Sequence, residues 1–442
     1  MSAASAEARV VRDQGELIAE DRYARAHEEA ALRLHGGFDA AGRYLSPRTR
    51  HRWPAVRAWE AQLAARGWPL LDTGPELLSV PPFPNEAQAR LLLRAGLGQF
   101  FWDSLTITGI IEARGEALAA FDPPDLQPFV DADLAGTCLG HLGKGLFRAH
   151  GWDEGGRRDL GLGGHDTMWF AVRDLLFGPD RWSIPEAPAS IGRDVPGREL
   201  PELPEAIEGL LKLMMNVRQP RSAVEPDLRA RARPACKARE RRRSRDYVKR
   251  PQRRRQAALG LPQGDPGALP GRVARPSRSV ELRHAPRALP GSAPGSPRRG
   301  STADRRCTIE VRAERTFRYY EAVIGTPGLF GCRDADRDLA LELVDRIRTD
   351  EAIHVAYLRC ALSEFRSFPI RTLEGRIVEG RTLLDPLWEA MIRWHAVGIH
   401  EANRPAQVAA LRARVEAHPE GARLWARLGE LGGFTVEAEG RA

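Results

Sequence analysis

Residues 339–368 read LALELVDRIRTDEAIHVAYLRCALSEFRSF, and this stretch decides the fold. Val344, Ile347, Leu358, Ala361 and Phe365 recur in alternating steps of three and four if positions 351 and 354 are counted with them, which is the buried stripe of a long helix. Those two positions hold Glu351 and His354. A carboxylate and an imidazole one turn apart on an inner face must find partners or destabilise the fold. A metal ion is one such partner; a hydrogen-bonded buried pair completed by Arg348 or Arg315 is the alternative.

Position, and not the motif, carries this signal. With 59 Asp+Glu and 11 His in 442 residues, composition alone gives an acidic residue three before a histidine roughly 1.5 times. It occurs twice, and the other instance, Glu281 with His284, lies among Arg and Pro residues that cannot sustain a helix.

Upstream, Thr308–Ile324 predicts a helix with Glu310, Glu314, Phe317, Glu321 and Ile324 on one stripe, and Gly325-Thr326-Pro327-Gly328 turns the chain back. Folding the two helices about that turn brings Glu310 or Glu314 towards Glu351 and His354. Further upstream, Asn85 predicts the cap of a helix over 86–121, whose stripe of Leu91, Ala95, Gly98, Trp102, Leu105 and Gly109 continues into Glu112 and Glu116. A helix over 131–150 carries Cys138 and His141 beside Ala135, Leu139, Leu142 and Leu146. A hairpin of these two helices sets Glu112 opposite Cys138 and His141, although His141 among Gly140, Gly143 and Gly145 also suits a close helix contact.

This arrangement of inward acidic residues on two helices and pairs ending in His on two others resembles the ferritin-like superfamily, which includes di-iron carboxylate proteins. The resemblance covers 86–217 and 308–368 and rests on Glu351-Ala352-Ile353-His354. It implies a four-helix bundle in which Glu351 bridges two irons, His354 ligates one, Glu112 and Glu314 supply further carboxylates and His141 a second imidazole. The family pattern has Glu where this chain has Cys138. Carboxylate and imidazole ligands suit iron, with manganese as the other metal. Ferrous iron would supply electrons to dioxygen, and the family uses such sites for iron oxidation, hydroxylation, desaturation or radical generation.

The rest of the chain predicts additions to that bundle. Residues 1–35, with Ala, Glu and Arg dominating through 16–34, predict a helical stretch ended by Gly36-Gly37, and 54–66, 166–177 and 205–217 predict three more helices. Beyond 368, Ile370, Leu373 and Ile377 suggest a hairpin, followed by helices over 386–399, 405–417 and 420–431, in which Trp388, Trp394 and Trp425 read as packing. His150, His165, His395 and His400 read as core or surface residues without a role. The organisation expected is a helical extension (1–84), the bundle in two parts (85–217 and 307–368), an insert (218–306) and a C-terminal helical extension (369–442).

The insert carries the charge. Residues 218–306 hold 25 Lys+Arg and 7 Asp+Glu, so the remainder has 42 basic against 52 acidic residues and the formal net charge of +8 belongs to this segment. Its 23 Arg, 12 Pro and single aromatic residue predict disorder. Three readings fit: an arm that binds nucleic acid through phosphate contacts, a solvated linker, or the product of a reading-frame error in GC-rich coding sequence, since it interrupts an apparent helix. Shifting the frame of the underlying DNA tests the third: recovered apolar periodicity supports it, and none in either frame rejects it.

The whole therefore reads as all-α: a ferritin-like four-helix bundle with extra N- and C-terminal helices and a disordered basic insert. The function expected is that of a di-iron oxidoreductase or oxygenase with a small-molecule substrate and an electron donor, both unidentified. A non-catalytic helical scaffold, contacting nucleic acid only through 218–306, is the alternative. Five scattered cysteines without a CxxC pair, no apolar leader and no segment of membrane length point to the cytoplasm and away from the membrane. A homo-oligomer is left open.

Overall fold

The computed structural model describes residues 10–20, 25–72, 81–185, 210, 308–372 and 374–432; of residues 308–312 it describes only the backbone. The helix predicted over 205–217, apart from Leu210, and the insert 218–306 lie outside the described residues. Helices α1 (Gln14–Leu17), α2 (Thr49–Ala65), α3 (Glu86–Arg94), α4 (Gln99–Gly115), α5 (Phe147–Gly155), α6 (His165–Phe177), α7 (Thr308–Ile324), α8 (Asp334–Ser367), α9 (Gly380–Arg393), α10 (Ile399–Glu416) and α11 (Gly421–Glu430) dominate them. Small antiparallel hairpins pair β1 (His27–Glu29) with β2 (Leu32–Leu34), β3 (Gly37–Phe38) with β4 (Tyr44–Leu45), and β5 (Pro369–Arg371) with β6 (Ile377–Glu379). Among the described residues no helix is long and apolar enough to cross a membrane.

Helix α8 is the spine. Its 34 residues extend about 50 Å at about 1.5 Å each. Asp334 and Asp336 in its first turn and Arg366 in its last complement the helix dipole. Its N-terminal half places Ala340, Leu343, Val344 and Ile347 in one apolar core with residues of α4, α6 and α7. Its C-terminal half places Ile353, Tyr357, Ala361 and Phe365 in a second core with Val56 and Trp59 of α2 and Leu383 and Leu384 of α9. Asp350, Glu351 and His354 form a buried polar layer between the two. The antiparallel partner expected from the sequence is α7, and Arg348 of α8 bonds both Glu314 and Glu321 across the pair.

Three predicted helices fold differently. Within 1–35, among the described residues, only α1 is helical; Ala30 and Ala31 both take positive φ (49° and 64°), the two-residue turn that suits hairpin twist, and β2 is tied to the loop before α6 by Gly163 N–H donating to the Arg33 carbonyl at 2.8 Å. The helix over 86–121 starts at Asn85 with a capping box to Gln88 but breaks between α3 and α4, where Gly96 has φ 78°. Residues 131–150 form short 3₁₀ turns and a kinked turn before α5, because Gly136, Gly140, Gly143 and Gly145 weaken a continuous helix.

One buried carboxyl is far from these breaks' chemistry but secures their geometry. Glu364 of α8 accepts hydrogen bonds from the backbone N–H groups of Cys138 (2.9 Å) and Leu139 (2.8 Å), and burial pushes its pKa up to about 8. The folded chain therefore keeps a proton here that the unfolded chain has released, so stability falls as pH rises towards 8. We expect a loss on the order of 2 kcal/mol from this group between pH 6.5 and 8. Denaturant melts of wild type and Glu364→Gln across that range check it; parallel pH dependences would rule it out.

Candidate metal centre

The polar layer is closed by four helices. Helix α4 contributes Glu112, α5 contributes His150, Asp153 and Glu154, α6 contributes His165 as its first residue, and α8 contributes Asp350, Glu351 and His354. Close approach of α4 to α5 needs Gly115: a Cβ there would stand 2.5 Å from Glu154 Cγ. Among the described residues three groups of ligand-type atoms result, each with all its atoms within 4.8 Å of one another: His150–Glu154–His354, Glu112–Glu154–His165–Glu351 and, on the outer side of His165, His35–His165–Asp350; the first two lie on the inner faces of the histidines. Those two share Glu154.

Each histidine is held by one nitrogen and offers the other. His354 Nε2 bonds Asp153 Oδ2 at 2.9 Å, while its Nδ1 faces Glu351 Oε2 (2.8 Å) and Glu154 Oε1 (3.4 Å). His150 Nδ1 bonds the Tyr357 hydroxyl at 2.6 Å, while Nε2 faces Glu154 Oε1 at 3.2 Å. His165 Nε2 lies 3.4 Å from Asp350 Oδ2, while Nδ1 faces Glu351 Oε1 (3.0 Å), Glu154 Oε1 (3.6 Å) and Glu112 Oε2 (3.7 Å). An outer partner on one ring nitrogen and an inner face for the other is how metal-ligating histidines are fixed.

The inner atoms suit a cation better than one another. His165 Nδ1, although ringed by three carboxylates, has Glu154 and Glu112 too distant and Glu351 poorly aligned, and is left without a well-formed hydrogen bond in a fully buried site. Burial and the neighbouring Glu154 push the Glu112 carboxyl well above the usual range, and the two share a hydrogen bond; Glu154, despite burial, is held well below it by Glu112 and the histidines. Burial opposes charge on His165 and His354, yet Glu154 and Asp350 around the first and Glu351 and Asp153 around the second hold both pKa values well above the imidazole norm. Protons gather where positive charge is called for.

Behind His354 stands a second layer. Asp153 bonds Arg48 and, at 2.8 Å, Arg52, and all three side chains are fully buried. Arg48 also bonds Glu20.

Of the residues predicted from sequence, Glu112, Glu351 and His354 come together here. His141 and Glu314 do not. His141 accepts from Arg12 N–H on Nε2 (2.9 Å), bonds the Thr137 carbonyl through Nδ1 (2.6 Å) and packs on Trp59. Glu314 is bound by Arg318 and Arg348. Cys138 lies elsewhere too, its thiol donating to the Tyr357 carbonyl at 3.3 Å, so no thiolate enters the donor set. Neither Arg348 nor Arg315 completes the Glu351–His354 pair: the first bonds Glu314 and Glu321, the second His400.

His150, Glu154 and His165 were not legible as members of the cluster, although His150 and Glu154 stand four apart and so share a helix face. Comparison of the chain with known family models, curated proteins and solved structures found no match to any of them.

Proposed function

We propose that the chain is a ferritin-like dinuclear metalloprotein whose centre holds two iron ions between Glu112, His150, Glu154, His165, Glu351 and His354 and serves an oxidoreductase or oxygenase reaction with dioxygen. The observation that carries this reading is the convergence of three imidazole nitrogens and three carboxylates, with the opposite nitrogen of every histidine engaged outward.

Charge supports two ions. With the protons on Glu112, His165 and His354 displaced, as metal ligation requires, Glu20, Glu112, Asp153, Glu154, Asp350 and Glu351 against Arg48 and Arg52 leave four negative charges, the charge that two divalent cations offset. Oxygen and nitrogen donors without sulfur fit iron or manganese. Glu351 has one oxygen towards His165 and the other towards His354 and would serve both ions, and Glu154 belongs to both inner groups.

Iron in such a centre supplies the electrons that reduce dioxygen. The protein's own part is to exclude water and to orient: His165 and His354 are fully buried, and Glu112, with 16% of its side chain exposed, forms the accessible edge. A small substrate would approach from that edge.

Anaerobic loading with ferrous iron followed by elemental analysis tests the reading. About two irons per chain, lost in Glu351→Ala, with dioxygen consumed only by the loaded wild type, is the expected result. A folded wild-type chain that retains no metal would leave the cluster as a hydrogen-bonded network inside a helical scaffold.

A further inference from the structure

The two halves of the centre are braced from different parts of the chain. His354 is braced through Asp153 by Arg48 and Arg52, at the start of α2. His165 is braced through Asp350, and Asp350 is in turn held by the N-terminal hairpins. His35, between β2 and β3, places Nε2 3.0 Å from Asp350 Oδ2, and the Tyr44 hydroxyl of β4 donates to the same oxygen at 2.9 Å. His35 also meets the His165 ring edge-on, with centroids 5.4 Å apart.

The contact does not satisfy every buried group it brings together. His35 and Asp350 are both nearly inaccessible, yet His35 Nδ1 and Asp350 Oδ1 have no hydrogen bond, so the contact leaves two buried polar atoms unsatisfied. What it does achieve is to concentrate three donors, from His35, Tyr44 and His165, on one carboxylate oxygen. That holds one proton of His165 on Nε2, so that an ion displacing the other proton would take Nδ1, the nitrogen that faces Glu112, Glu154 and Glu351.

We propose that the N-terminal hairpins are an outer part of the centre: His35 and Tyr44, acting through Asp350, are positioning residues that orient His165 and thereby set the affinity for one ion without altering the other. The inference rests on the dinuclear reading. It adds that the two ions are separable, and that the segment carrying His35 and Tyr44 controls only the ion on the Glu112–His165 side.

The test titrates the full metal-free chain anaerobically with Co²⁺, reading stoichiometry by calorimetry and ligand geometry from the visible absorption bands. Wild type should take up two ions. His35→Leu should hold one ion as wild type does and bind the other about 10- to 100-fold more weakly, with altered absorption from that ion alone. His35→Gln, whose amide N–H still reaches towards Asp350, should restore most of the loss, although the metal-free unfolding curves of the two variants coincide. Tyr44→Phe, which removes a single donor and leaves no cavity, should weaken the same ion several-fold and serves if His35→Leu does not fold.

Wild-type binding of both ions in His35→Leu, or in Tyr44→Phe where that variant serves, would overturn the proposal. So would equal loss in His35→Leu and His35→Gln, which would mark the contact as structural. A wild-type chain that binds no Co²⁺ and no Fe²⁺ removes the dinuclear reading itself, an outcome distinct from either of these.

Discussion

If the centre holds two ions as proposed, Glu154→Ala is expected to abolish the binding of both, whereas Glu112→Ala is expected to weaken only one. Glu154 Oε1 stands 3.2 Å from His150 Nε2, 3.4 Å from His354 Nδ1 and 3.6 Å from His165 Nδ1, so it is the one carboxylate oxygen facing all three imidazoles. Glu112 contacts only the His165 side. Losing an outer-shell partner typically weakens a metal site 10- to 100-fold, and losing a shared, charged ligand should exceed about 100-fold for each ion. Elemental analysis after desalting should therefore give almost no iron for Glu154→Ala and about one iron for Glu112→Ala, against about two for wild type. Equal loss in the two variants would show that Glu154 is not shared. Retention of both ions in Glu154→Ala would show that the cluster does not bind metal through this residue at all.

That the sequence directed Glu112 to the buried polar cluster and overlooked Glu154 has a physical cause. Helix α4 is regular through Trp102, Leu105 and Gly109, so its stripe extrapolates correctly to Glu112. Placing its partner residues by reflection about a turn assumes that the facing chain is equally regular. It is not: glycines break 131–150 into short turns, which removes Cys138 and His141 from register and lets α5 begin only at Phe147. Helix α5 has nine residues, two of them the glycines Gly151 and Gly155, and no apolar stripe against which a misplaced His150 or Glu154 would stand out. His165 opens its helix, so no preceding turn predicts its face.

The same contrast holds for the outer parts. Helices α7 and α8 were legible because their apolar steps persist over 17 and 34 residues. The β1–β2 hairpin turns on Ala30-Ala31, residues that favour helix and carry no turn chemistry. His35 and Tyr44 were hidden with it.

Asp153→Asn is expected to cost the most stability of any single change at the centre, about 3–5 kcal/mol. Asp153 is the shared counter-ion of Arg48 and Arg52, both fully buried, and it also takes the Nε2 proton of His354. Without its charge, Arg52 keeps only the carbonyl oxygens of Pro47 and Arg48, and Arg48 keeps Glu20. A buried guanidinium without a counter-charge cannot recover its hydration, so the loss is a large share of the about 5–15 kcal/mol that holds a domain together. The sign of the pH dependence follows from the direction of the shift. Burial opposes ionisation of Asp153, but Arg48, Arg52 and His354 hold its pKa well below the usual carboxylate range. Its stabilisation is therefore fully present above the unfolded-state value near 4 and is lost only on acidification below it. Denaturant unfolding of the metal-free chain should accordingly show the same deficit for Asp153→Asn at pH 6 and pH 8, narrowing as the pH drops below about 4. A deficit under about 1 kcal/mol, the range of an exposed ion pair, would mean that the two arginines find solvent or other partners when Asp153 is neutralised, and that the brace behind His354 is not a buried one.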